Sequence, residues 1–206
     1  MERLTKQIDF IREIDKLKQV LRKSYITDGS RHENDTEHSW HLAVMISLLG
    51  EYADAPIDLL RVLKMVLIHD IVEIDAGDTS VYAVEAREQI KQAEQASADR
   101  IFGMLPDDQE AGFRALWDEF EARITPEARF ARALDRLQPI MLNYSAQGRA
   151  WKENKVTAEQ VMSLNLPIMA SGAPALVKFL ERLLFDAKER GYFYEPDTSK
   201  LPPESS

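Results

Sequence analysis

The sequence predicts an all-α protein, a helical bundle in one domain, and three observations carry that prediction. Apolar residues recur at three- and four-residue spacing along most of the 206 residues, glycine is scarce at eight, and no segment alternates apolar with polar as a half-buried strand must. With 45% of its residues apolar, a chain of this length can bury one substantial core. We expect a single domain over residues 1–194 and a frayed tail over 195–206, EPDTSKLPPESS.

The elements follow in order. Residues 3–24 read as a first helix, with Ile8, Ile11, Ile14, Leu17 and Leu21 as its apolar stripe. Ile26 to Glu33 contains Thr27-Asp28-Gly29-Ser30 and reads as a loop. Asp35 or Thr36 then caps a second helix over about 36–53, with Glu37 in its first turn. Pro56 opens a third over about 56–74, at the position where proline is best tolerated, and Ala76-Gly77-Asp78-Thr79 ends it. Helices over 81–104 and 107–122 flank Pro106, and Pro126 begins another that runs to about Gln147. The segment 151–171 holds one short helix before Pro167, and a last helix over about 172–190 stops at Gly191.

Composition narrows the function classes. Lys plus Arg number 26 against 35 Asp plus Glu, a net charge of -9, which argues against binding a nucleic-acid polymer through a basic face. A small anionic substrate stays open, because a local cation can reverse the field inside a pocket. There are no cysteines, so disulfides and thiolate metal sites are excluded, and a reducing cytoplasm is the natural home. The start, MERLTKQIDF, has no signal-peptide core, and no apolar run is long enough to span a bilayer, so no membrane partner is expected.

The residues that suggest chemistry lie on the helical faces. His69-Asp70 ends the apolar run LLRVLKMVLIHD, where a helix interior normally excludes both residue types unless each has a partner. His38, Leu42, Met45 and Leu49 form one inward row; Val62, Val66, His69 and Glu73 form another; Asp135 stands at the edge of Phe130, Leu134, Leu137 and Met141. Each taken singly has a plain structural role: His38 as a core histidine, His69 as a cation at a helix C-terminus, Asp135 as the ion-pair partner of Arg132 or Arg136. Together they suggest a metal site. Imidazoles and carboxylates without thiolate suit Mn, Fe, Co, Ni or Zn, and a closed structural zinc site remains an alternative. Glu73, on the His69 face, is the expected general acid/base. For a small anionic substrate Arg31 is the best-placed cation, with Arg22 and Lys23 as further candidates. His41 reads as a supporting or packing residue and Trp40 as core.

The phrase HENDTEHSWH, followed by HDIVEIDAGD and a late aspartate, resembles the HD-domain metal-dependent phosphohydrolases, in the branch of the bacterial 5′-deoxynucleotidases and HDDC2-like proteins. The resemblance runs over roughly residues 8–145. It implies an HD-type helical bundle, one divalent cation on His38, His69, Asp70 and Asp135, and a homodimer. It also implies a nucleotide substrate, with Asp78 touching it or supporting Glu73. The activity implied is removal of the 5′-phosphate from deoxyribonucleoside monophosphates. The arginine-tryptophan pair of the bacterial enzymes has no clear counterpart in VLRKSYITDGSR, which leaves the nucleotide preference open. Three alternatives stand beside this: a nucleoside triphosphate phosphohydrolase, a non-catalytic metal-binding regulatory module, and a helical interaction protein with no metal.

Overall fold

The computed structural model describes residues 1–77 and 87–196. Over these the chain is helical apart from one two-stranded antiparallel sheet. Helix α1 (Glu2–Ile14) passes into a 3₁₀ turn over Asp15–Gln19, and β1 (Leu21–Tyr25) pairs with β2 (His32–Asn34). The helix expected over 3–24 is thus too long, and the loop expected to Glu33 hides a strand. The expected stripe is also corrected: Phe10 and Leu17 are buried, whereas Ile8, Ile11 and Leu21 are exposed. Strand β1 escaped the hydrophobic pattern for a physical reason. Arg22 and Ser24, on the face that lines the site, are polar, and Tyr25 is the one buried apolar residue, so no apolar alternation marks it.

Helix α2 (Asp35–Leu49) is capped by Asn34 instead of Asp35 or Thr36. Asn34 Oδ1 accepts from the Glu37 amide at 2.9 Å while the Glu37 carboxylate accepts from the Asn34 amide at 3.2 Å, a reciprocal capping box. Helix α3 (Leu59–Ile68) starts at the Asp58 cap, beyond Pro56, and stops at Ile68. The chain then turns through residues 69–72 before the single turn α4 (Glu73–Ala76), which Gly77 ends at φ 75 and ψ 153, a conformation side chains resist.

Next come α5 (Arg87–Phe102), α6 (Asp107–Ala122) and α7 (Pro126–Ser145), the last two close to their expected spans. The first part of the helix expected over 81–104, and most of the tail, lie outside the described residues. Two helices, α8 (Arg149–Glu153) and α9 (Ala158–Gly172), replace the single short one expected over 151–171. Helix α9 runs through Pro167. A proline there forfeits one backbone hydrogen bond, and the buried face of Val161, Asn165 and Met169 together with the Thr157–Gln160 capping box outweighs that loss. Helix α10 (Val177–Glu189) starts five residues later than the expected 172, because α9 runs to Gly172 and a 3₁₀ turn over Pro174–Leu176 intervenes.

Two apolar clusters result. The larger joins α2, α3, α7, α9 and α10; the smaller joins α1, α5, α6 and the turn after α3. Val62, Met65 and Val66 feed the first, while Ile68, Ile71 and Val72 feed the second. His69 and Asp70 therefore sit at the seam between the clusters, where polar groups displace the least packing. The α7–α8 corner that walls this seam turns on Gly148, at φ 73, where an added Cβ would meet the Tyr192 carbonyl oxygen at 1.8 Å. Gly148→Ala should lower stability by more than about 2 kcal/mol in urea unfolding. A change under about 0.5 kcal/mol, typical of a surface substitution, would show that this corner does not constrain the fold.

Candidate metal centre

Helix α3 ends at Ile68, but His69 keeps helical dihedrals (φ -60, ψ -37) and the chain continues in i→i+3 turns, so His69 and Asp70 leave the backbone about 100° apart and their side chains close the angle. Trp117 Nε1 stabilises this helix end by donating to the carbonyl of His69 at 3.2 Å. His69 Nδ1 donates to the Val66 carbonyl at 2.8 Å, which leaves Nε2 as the lone-pair nitrogen. That nitrogen lies 3.1 Å from Asp70 Oδ1 and 3.6 Å from Asp135 Oδ1, yet it is buried without an aligned hydrogen bond.

His38 is set in the same way. Gln138 Nε2 donates to Glu33 Oε1 at 2.6 Å and contacts His41 Nδ1 at 3.1 Å, so Gln138 turns its Oε1 to His38 and accepts from Nδ1 at 3.0 Å. His38 Nε2 then points at Asp135 Oδ1, 3.1 Å away, and lies 3.8 Å from Asp70 Oδ2. Two imidazole lone pairs facing two carboxylates are acceptors without a donor. Only a proton or a cation between them removes the repulsion, and this is the sense in which the four residues fit a divalent ion. Asp70, Asp35 and Glu73 form an adjoining acidic group.

The electrostatics say the same. Burial alone would push His69 down, but the Asp70 and Asp135 carboxylates override it and raise the imidazole to about 10. Burial also opposes the charge on Asp135, which Arg132, His38 and His69 nevertheless hold well below the usual carboxylate range. His38 is lowered, by burial and by the nearby charge of Arg22. Arg22 Nη1 donates to Asp35 Oδ1 and Asp70 Oδ2, both at 2.8 Å, and so ties the start of α2 to the turn after α3. Asp35 is fully buried and pushed up to about 6 by that burial and by Asp70.

A cavity of about 460 Å³ opens on this cluster. His69, Asp70, Asp135, Glu73, Arg22 and Lys23 line it, and His38 lies behind them. Arg31 does not reach it: its guanidinium forks onto Glu37 at 2.6 and 2.8 Å on the exposed surface. Asp78 lies outside the described residues. Trp40, expected in the core, is exposed, whereas His41 does support the site, through Gln138. Sequence reasoning missed several residues of the site. Asp35 reads in the sequence as a cap, and Arg132 and Arg136 only as ion-pair partners for Asp135; Arg132 does donate to Asp135 Oδ2 at 3.0 Å, but both arginines also line the cavity. Gln138 lies one helical turn beyond Asp135, and that spacing could have flagged it. Nothing local marks Glu33 or Glu94, each raised to about 7, chiefly by burial.

The HD domain family matches residues 14–177, and the chain belongs to that family. The crystal structure of a predicted metal-dependent phosphohydrolase from Magnetospirillum magnetotacticum is 48% identical, with a TM-score of 0.87 over 95% of this chain and 100% of that one. The 5′-deoxynucleotidase HDDC2 of Xenopus laevis is 29% identical over 135 residues, 65% of this chain and 66% of its own length. The human 5′-deoxynucleotidase HDDC2 is 27% identical over 65% of each chain. The matched stretch thus spans just under two thirds of these relatives. Among the described residues, no helix is long and apolar enough to cross a membrane.

Glu33 offers a test of the buried network. Its folded value of about 7 stands above its ordinary 4.5, so between those pH values the native state holds a proton that the unfolded chain has released. Without added cation, stability should fall as pH rises through that window, by up to roughly 3 kcal/mol. Chemical denaturation at stepped pH should find this slope reduced in Glu33→Gln. An unchanged slope would mean that Glu33 is ionised in the native protein.

Proposed function

We propose that the protein is a metal-dependent phosphohydrolase that removes the 5′-phosphate from deoxyribonucleoside monophosphates. One divalent cation, drawn from Mn, Fe, Co, Ni and Zn, is held by His38, His69, Asp70 and Asp135. The observation that carries this reading is the convergence of His38, His69 and Asp135, with Asp70 of the adjoining acidic group 3.1 Å from His69 Nε2 and 3.8 Å from His38 Nε2, at the head of a cavity that also holds Arg22 and Glu73. The names of the relatives point to the same substrate. When bound, the cation supplies Lewis-acid charge at the phosphate and lowers the pKa of adjacent water.

The protein's own residues supply positioning and proton transfer. Arg22, fixed by two carboxylates, brings a permanent positive charge to the phosphate, and Lys23 adds a second from the exposed edge of β1. Asp35 and Glu73 bring carboxyl oxygens within 4.8 Å of one another, and two carboxyls so close favour holding one proton between them. In the hydrolysis, water forms the new bond to phosphorus as the bond to the 5′-oxygen breaks. The carboxyl pair gives its proton to the departing 5′-oxygen through Glu73 and takes one from the attacking water, and so ends each cycle as it began. A triphosphate substrate is the second reading, favoured by the further cations Lys91 and Arg123 on the cavity wall. The neighbouring Glu94 and Glu121 offset their charge.

We further propose a homodimer. Trp40, Val44 and Leu48 recur four residues apart on α2 and are exposed, beside exposed Leu60 and Leu67 on α3, an apolar face suited to a second copy. The cysteine-free sequence fits a cytoplasmic location.

Phosphate release from a panel of deoxyribonucleoside mono- and triphosphates, with Mn or Co added, tests the reaction. Monophosphates should be hydrolysed, and Glu73→Gln should reduce turnover about 10²–10⁴-fold. No release with cation demonstrably bound would reject the enzymatic reading. For the dimer, light scattering should give twice the chain mass for the parent and a single-chain mass for Leu48→Lys; a monomeric parent would reject it.

A further inference from the structure

The cavity walls divide by charge. Among the described residues, every charged side chain lining it lies between Arg22 and Arg136 in the sequence, and from Pro139 onward the lining is uncharged. The polar members of this second wall are Asn143, Asn154 and Asn165, and all three are held alike. Each Nδ2 donates to the backbone carbonyl four residues earlier: Pro139 at 2.8 Å, Ala150 at 2.8 Å and Val161 at 2.7 Å. A backbone carbonyl can only accept, so the orientation of each amide is fixed and each Oδ1 remains as an acceptor. Asn143 is buried, and its Oδ1 is closed to solvent with no hydrogen-bond partner, a costly state that a donor brought against it by small side-chain adjustment would relieve.

The two ends of the cavity stand a nucleoside's length apart. Asp135 and Asn143 are separated by eight residues of α7, about 12 Å at the helical rise. Strand β1 makes the same journey, from Arg22 on the acidic cluster to Tyr25, whose hydroxyl donates to Glu153 of α8 at 2.9 Å. Ile140, Trp151 and Ile168 supply apolar surface between the amides.

We propose that this uncharged wall is a nucleobase subsite whose asparagine oxygens accept hydrogen bonds from the base, so that bases carrying an exocyclic amino group are preferred. The inference rests on the nucleotide reading given above and adds base selection to it. The pair dCMP and dUMP tests it, since cytosine presents an exocyclic 4-amino donor beside an N3 acceptor where uracil presents a 4-keto acceptor beside an N3–H, so the outward amino donor is present in dCMP alone. Calorimetric titration of the full chain, loaded with Mn and carrying Glu73→Gln to block turnover, should find dCMP bound about tenfold tighter than dUMP, the worth of one hydrogen bond. Adding Asn143→Leu should bring the ratio below about threefold. Asn154→Leu, at a more exposed position, should also reduce it and guards against misfolding of the first variant. A parent ratio near one, or a ratio that survives both substitutions, would overturn the subsite. Failure of the phosphatase reading looks different: the wild-type chain would release no phosphate, while the binding ratio could stand.

Discussion

Two buried imidazoles whose lone pairs face two buried carboxylates cannot share so small a volume without positive charge among them, and the rest of the structure accommodates this constraint. Arg22 and Arg132 supply part of that charge from the protein, and the raised His69 supplies more by holding a proton. Each is an expensive solution in a protein interior unless every remaining polar atom is bonded. Hence the ring of supporting contacts: Val66 and Gln138 fix the two imidazoles, Glu33 and His41 fix Gln138, and Trp117 stabilises the carbonyl of His69. A divalent cation meets the same demand more fully, and the open cavity beside the cluster leaves room for a substrate to share it.

The fold delivers these groups by interrupting regular structure where they are needed. Helix α3 stops just before His69, and the i→i+3 turns that follow carry Glu73 back toward the same cavity. Pro139 in α7 has no amide hydrogen to return to the carbonyl of Asp135, one turn earlier, so the α7 backbone loses a hydrogen bond beside the site. The sheet is too small to contribute a core, and its role is to carry Arg22 from the acidic cluster along the cavity wall. Stability is concentrated elsewhere, in the packed faces of α2, α3, α7, α9 and α10.

How much of this the sequence discloses depends on whether a residue announces itself locally. Helices α6, α7 and α10 were legible because apolar spacing and flanking Pro or Gly coincide. His38, His69, Asp70 and Asp135 were legible because polar residues on apolar faces call for an explanation. Strand β1 was not, since the site it serves replaced its apolar residues with Arg22 and Ser24. Arg31 misled because nearness in sequence to the ENDTEH phrase is not nearness in space, and Glu37 holds it on the surface. Glu33, Asp35 and Gln138 act only through partners as much as 105 residues away in sequence, and no local pattern encodes those pairings.

The central claim is that four side chains from α2, α7 and the turn after α3 bind one cation together. Diffraction at the manganese absorption edge, from crystals grown with Mn, tests it most directly. A single anomalous peak within bonding distance of His38 Nε2, His69 Nε2, Asp70 and Asp135 is the predicted result. A folded protein with no peak among those four groups, or with the ion held by other side chains, would contradict it.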